Sequence, residues 1–157
     1  VEGQTYYPIV LTRLKGRRVV VFGGGAVAER KTRGLLAADA AVTLISPQAT
    51  LPLKDLAAQG RIVWERRVYQ PGDCFGAALT FAATNVREVN QNIAQESERA
   101  NILCNVADDP ARASFHLPAV YRGEEHLIAV SAYGANPAGA KKIRDEIAKW
   151  FGGKNER

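Results

Sequence analysis

Arg17-Arg18-Val19-Val20-Val21-Phe22-Gly23-Gly24-Gly25-Ala26-Val27-Ala28-Glu29-Arg30-Lys31 decides the reading of this chain. Three consecutive valines give a β-branched run, three glycines break it, and a helix-favouring polar segment follows. The pattern G-x-G-x-x-A falls on Gly23, Gly25 and Ala28, after an expected strand and at the mouth of an expected helix. Gly23 allows a tight turn. Gly25 removes the Cβ that would keep a pyrophosphate from the backbone, and Ala28 is small enough for close helix–strand packing. A pyrophosphate on such a turn sits against amides at the positive end of the helix. The stretch predicts a dinucleotide site on this glycine turn.

Downstream, the same alternation repeats. Strands are expected at 41–45, 61–64, 77–83 and 102–106, with helices at 25–37, 51–58 and 86–99. Strand–helix alternation at this interval predicts an α/β fold with a Rossmann-like open parallel sheet. The run 77–83 is almost wholly apolar, as a strand covered on both faces must be. Asn85 and Glu88 have the spacing of a capping box at the start of helix 86–99. Before the first strand, Pro8 limits Tyr6–Leu11 to an edge strand or an extended arm, and Leu14-Lys15-Gly16 reads as a turn.

The rhythm changes after Val106. Residues 113–118 and 127–131 read as two strands around the charged loop Arg122-Gly123-Glu124-Glu125, an antiparallel addition to the sheet. Asn136 and Pro137 form an N-cap and N1 pair. The helix they open, over 138–151, puts Ala140, Ile143, Ile147, Trp150 and Phe151 on one apolar face, with Gly152-Gly153 to stop it. The expected division is a nucleotide-binding domain at 1–110 and a C-terminal dimerisation segment at 111–157.

In open α/β sheets ligands bind beyond the carboxyl ends of the strands. Four points collect there: the glycine turn, Ser46-Pro47-Gln48, Thr84-Asn85, and Asn105 through Asp108. Ser46 stands 23 residues after Gly23, where NAD enzymes usually place an acid for the ribose. A hydroxyl there binds ribose more weakly than a carboxylate, and no arginine adjoins it in sequence for a 2′-phosphate, so NAD and NADP are not separated by this position. Asp108 is the one strong acid/base candidate, with a turn before Pro110 as its other reading. His116 and His126 read as surface or packing residues.

Composition bounds the function. Among 157 residues, 46% are hydrophobic and 24% charged, the balance of a globular domain. No apolar run reaches the ~18 residues of a membrane span. Cys74 and Cys104 fit neither a disulfide framework nor zinc-ligand spacing with the histidines, so no metal site is expected and a reducing cytoplasm is. The net charge of +5 comes in short clusters with no nucleic-acid-binding signature, which suits a polyanionic small molecule better than nucleic acid. The P-loop and Tyr-x-x-x-Lys patterns are both missing.

Taken together, Tyr7-Pro8-Ile9, Leu14-Lys15-Gly16-Arg17, Val19 through Lys31, Ala82-Ala83-Thr84-Asn85, Val89-Asn90, Cys104-Asn105-Val106-Ala107-Asp108 and Ala113-Ser114-Phe115 resemble the precorrin-2 dehydrogenase domain of the siroheme synthase family. The resemblance covers nearly the whole chain. It implies NAD-dependent oxidation of precorrin-2, a polycarboxylate tetrapyrrole, to sirohydrochlorin, followed in some members by ferrochelation. It also implies cofactor contacts at Gly23–Val27 and Ser46–Gln48, an essential aspartate at Asp108, and an intertwined homodimer built by the C-terminal region. The family's Ser-[ST]-Gly-Gly-x-Ser-Pro segment stands here as Ser131-Ala132-Tyr133-Gly134-Ala135-Asn136-Pro137, and the family's helical domain beyond it is represented by one helix. A non-catalytic dinucleotide- or tetrapyrrole-binding module is the alternative that these departures keep open.

Overall fold

A computed structural model describes residues 6–133 and 135–151. The valine run forms β1 (Arg18–Phe22), and the residues after the glycines form α1 (Ala26–Leu36). There follow β2 (Ala41–Ile45), α2 (Leu51–Ala58), β3 (Val63–Glu65), β4 (Leu79–Ala82), α3 (Arg87–Arg99) and β5 (Leu103–Val106). The five strands make one parallel sheet in the order β3-β2-β1-β4-β5. Strand order reverses on either side of β1, so the glycine turn at the end of β1 lies at the topological switch point.

Both faces of this sheet are covered. Val19, Val21, Leu44 and Phe81 pack with Ala28 and Leu35 of α1 and Leu53 of α2. Val20, Phe22, Ile45 and Ala82 pack on the other side with Ile93 and Ala94 of α3 and with Cys74. Burial on both faces is why Val19–Phe22 of β1 reads as an apolar run rather than an alternating one; in β4 only Thr80, bonded to Ser97, interrupts it.

Beyond β5 come a 3-10 turn at Pro110–Arg112, β6 (Ala119–Arg122), β7 (Leu127–Val130) and α4 (Pro137–Trp150). The chain divides into two compact units, one of residues Ile9–Phe115 and one of residues 6–8 with 116–151. In the second, β6 and β7 pair antiparallel, and α4 packs on them through Ala140 and Ala148. Asn136 caps α4 as expected, accepting from the Gly139 amide at 2.8 Å.

Several expectations are corrected. Residues 113–118 form no strand; Ser114 donates its amide to Cys104 O and its hydroxyl accepts from Cys104 N. Pro118 lacks the amide donor a ladder needs. The strand pair lies at β6 and β7 and stands as its own two-stranded sheet instead of extending the parallel one. β3 starts two residues late because Gly60 (φ +67°) and Arg61, whose amide bonds Leu56 O, terminate α2. Of the two expectations for Tyr6–Leu11, the edge strand is excluded, since the segment has no strand pairing. Of the apolar face expected on α4, Ala140 is buried, Ile143 and Trp150 are exposed, and Phe151, just past the helix end, is half exposed; Ala148 is buried beside them. The stop at Gly152-Gly153 lies outside the described residues.

Candidate dinucleotide site

The glycines differ in what they permit. Gly23 has φ +105°, and a Cβ there would stand 2.2 Å from the Ala83 carbonyl oxygen. Its amide donates to Ile45 O at 3.0 Å, tying the end of β1 to that of β2. At Gly24 a Cβ would stand 1.9 Å from Gln48 O, so only glycine lets the β2–α2 loop close over the turn. Thr50 N then donates to Gly24 O at 2.9 Å, and the Thr50 hydroxyl bonds Glu29 Oε2. That hydrogen bond first, and Arg33 second, hold the Glu29 carboxyl below its ordinary range.

Gly25 is the opposite case: no atom lies within 4 Å of where its Cβ would be. It is the N-cap of α1 in extended backbone (φ −86°, ψ −174°), and no side chain caps the helix. The first-turn amides of an α-helix have no acceptor within the helix. Ala26 and Val27, next in line, are exposed. The space over Gly25 and the uncapped helix end therefore suit an anionic pyrophosphate.

At the end of β2, Ser46 is buried, its amide bonded to Glu65 O and its carbonyl accepting from the Trp64 indole N–H at 2.9 Å. Pro47 and Gln48 are exposed beside it. The same Trp64 ring carries the Arg66 guanidinium, stacked over it at 4.5 Å. Sequence adjacency gives Ser46 no arginine; Trp64, bonded to the Ser46 carbonyl, brings one toward it from twenty positions away.

On the far side of the turn, the chain leaves β4 at Ala82 and runs on to Thr84, and Asn90 on α3 reaches back to it. The Asn90 carboxamide oxygen accepts from Thr84 N (3.0 Å) and Thr84 Oγ1 (2.7 Å), and its nitrogen donates to Thr84 O (3.1 Å). The same nitrogen donates to Asp108 Oδ1 at 2.8 Å. The capping box expected from Asn85 and Glu88 does not form. Val86 takes the N-cap without a side-chain bond, Asn85 is exposed, and the Thr84 hydroxyl accepts the Val86 amide at 3.2 Å instead. Asp108 is exposed at the end of β5, whereas its neighbour Asp109 is held by Arg87 and Arg112. The two carboxylates thus divide: Asp109 serves the turn and Asp108 faces outward.

Sequence reading missed a buried lysine. Lys31, on the inner face of α1, is 9% exposed. Its Nζ donates to Asn105 Oδ1 at 2.5 Å and lies 5.4 Å from the centre of the Phe81 ring. Asn105 Nδ2 in turn donates to Phe115 O at 2.9 Å. Burial lowers the Lys31 ammonium to about 8, with the nearby Arg30 charge adding to it. Its place three residues after Ala28 and four before Leu35 was the available signal.

Other chemistry finds little support. Burial raises the Cys74 thiol to about 12 and raises Cys104 as well, so neither is a ready nucleophile. Among the described residues no cluster of His, Cys, Asp and Glu could hold a metal. His116 lies near the Tyr6 ring and His126 packs against Phe151. No helix of the described residues is long and apolar enough to cross a membrane.

The parallel sheet, the switch point and the glycine turn define a dinucleotide-binding α/β domain. The chain belongs to the family described as "Putative NAD(P)-binding", whose model matches residues 10–119. Siroheme synthase 3 of Aeromonas hydrophila is 39% identical over 142 residues, covering 90% of this chain and 30% of that protein. The siroheme synthase of Methylobacillus flagellatus is 36% identical over 138 residues, covering 88% of this chain and 30% of the relative. The chain thus spans about a third of the length of these relatives. Among solved structures, SirC, a precorrin-2 dehydrogenase, superposes with a TM-score of 0.76 at 28% identity, covering 92% of this chain and 70% of that one.

Proposed function

We propose that this chain is an NAD-dependent dehydrogenase that oxidises precorrin-2 to sirohydrochlorin in siroheme biosynthesis. The observation that carries the proposal is Asp108: an outward-facing carboxylate, fixed by a buried carboxamide, at the same sheet end as the glycine turn. The names borne by the siroheme synthases and by SirC support the substrate. In this reading Gly23, Gly24, Gly25, Ala26 and Val27 hold the pyrophosphate, and Ser46, Pro47 and Gln48 border the adenine ribose. Thr84 and Asn85 border the nicotinamide end.

NAD, when bound, supplies a hydride acceptor. The chain's own contribution is to hold substrate and nucleotide in line and to accept or steer the proton released with the hydride. Asp108 Oδ1 is engaged by Asn90, which leaves Oδ2 to meet the proton or a pyrrole N–H. The balance is one hydride to the nicotinamide and one proton to base or solvent for each precorrin-2 oxidised.

Residues 1–110 form the nucleotide-binding part of this proposal and 111–157 the dimerisation part. Ile143 and Trp150, exposed on α4, and the half-exposed Phe151 just past its end suit burial against a second copy, and the basic surface charge suits a polycarboxylate. The reducing cytoplasm is the compartment proposed. One feature favours a binding module without turnover, the altered segment 131–137.

Asp108→Asn separates these readings. Asparagine keeps an acceptor for Asn90 but takes no proton. Turnover should fall about 10²-fold or more, as for loss of a general base, with NAD affinity and melting temperature unchanged. Undiminished turnover in the variant would remove Asp108 from the chemistry.

A further inference from the structure

We propose that Asn90 is a positioning residue that holds Asp108 in the orientation the reaction uses and locks it to the nucleotide-side turn at Thr84. The inference rests on the reading of Asp108 given above. Asn90 is completely buried, and a buried carboxamide must satisfy two acceptor and two donor positions. All four are filled: Thr84 N and Thr84 Oγ1 on the oxygen, Thr84 O and Asp108 Oδ1 on the nitrogen. The arrangement admits only one orientation of the amide. Flipping it would set the NH₂ group against the Thr84 amide and the oxygen against a carboxylate.

Three of the four bonds go to Thr84, so the amide is anchored on the strand end that borders the nucleotide, and only the fourth is free to act on Asp108. That fourth bond takes Oδ1 and leaves Oδ2 as the oxygen presented outward. Among the described residues Asp108 receives no other side-chain hydrogen bond, whereas Asp109, one residue on, is held by two arginines. Without Asn90 the exposed carboxylate would sample its rotamers freely, and misplacing a reacting group by an ångström costs about 10²-fold in rate. A helix-capping role alone would account for the Thr84 bonds and for none of the bond to Asp108.

Asn90→Asp tests this with least disturbance. It keeps the shape and the acceptor for Thr84 N and Oγ1, while replacing the donor to Asp108 and to Thr84 O by a carboxylate oxygen, so a melting curve is recorded beside the kinetics. With NAD and precorrin-2, kcat should fall about 10²-fold, with KM for both within about threefold. Introduced on top of Asp108→Asn, it should cause little further loss, because the two residues act as one unit. Unchanged kcat, or losses that multiply in the double variant, would overturn the proposal. If Asp108→Asn itself leaves turnover intact, the reading of Asp108 fails and the inference falls with it.

A second measurement needs neither an Asn90 variant nor activity. In the folded chain the Asn90 side-chain amide protons should exchange slowly with solvent. Asp108→Asn should shift one of the two resonances and leave the Thr84-facing one in place. Fast exchange, or no shift, would show that the bond does not persist in solution and would overturn the proposal.

Discussion

Gly25→Val is the substitution that best separates binding from folding. Nothing lies within 4 Å of a Cβ at Gly25, and its backbone (φ −86°, ψ −174°) is open to any residue. Gly25 makes no side-chain cap, so the cost to the fold is a few tenths to about 1 kcal/mol. For a chain of this size that lowers Tm by about 2–4 °C per kcal/mol. For binding, the isopropyl group fills the space the pyrophosphate needs and pushes it off the helix amides. Losing two hydrogen bonds to a charged group, at about 1.5–3 kcal/mol each, weakens NAD binding by about 10²–10⁴-fold. Gly24→Ala is the matched control. Its Cβ would overlap Gln48 O, so the β2–α2 loop must move and stability should fall by about 2 kcal/mol or more. Calorimetric titration with NAD and thermal melts of the three proteins measure both effects. NAD binding in Gly25→Val within threefold of the parent, or a melt as damaged as that of Gly24→Ala, would refute the reasoning.

Other outcomes follow from the same geometry. Lys31 has a lowered folded pKa, so between pH 8 and 10.5 the unfolded chain binds more protons than the folded one, and this group's contribution to stability rises with pH. Relative to Lys31→Met, the parent should gain on the order of 2 kcal/mol across that window; denaturant melts showing a flat difference would contradict the burial argument. Trp150, 84% exposed, should become buried on self-association. Trp150→Glu should then yield a monomer by sedimentation at tens of micromolar, where a dimer of micromolar Kd is about saturated, and a parent chain already monomeric there would exclude the dimer. Arg66, tied to Ser46 through Trp64, should matter to the adenosine end: Arg66→Ala should weaken NADP more than NAD, and Ser46→Asp should favour NAD further by repelling a 2′-phosphate. Equal effects on both nucleotides would place Arg66 outside the site.

Much of this was legible in the residues because one local pattern determines it. The valine run, three glycines and a helix opening need no tertiary information to be read as a strand, turn and helix at a switch point. What escaped depended on contacts between distant segments. Lys31 looked like one more basic surface residue until Asn105 and Phe81 closed over it. Arg66 is tied to Ser46 only through Trp64, whose indole bonds the Ser46 carbonyl and carries the guanidinium. Asn85 with Glu88 satisfied the spacing of a capping box, yet Val86 takes the N-cap and the hydroxyl of Thr84, held by Asn90 from within α3, accepts its amide. The strand misplaced to 113–118 has the composition of a strand; its side-chain and backbone bonds to β5 satisfy its polar groups without a ladder. On α4 the apolar spacing was correct as a pattern, but periodicity does not say whether a face meets its own chain or another.

The dehydrogenase claim is tested most directly by anaerobic incubation of the chain with precorrin-2 and NAD, following the reduced nicotinamide and the product spectrum together. The account predicts one NADH formed for each sirohydrochlorin, with the rate proportional to protein concentration and about 10²-fold lower in Asp108→Asn. NAD and precorrin-2 that both bind but yield no NADH would contradict it and leave the chain a binding module.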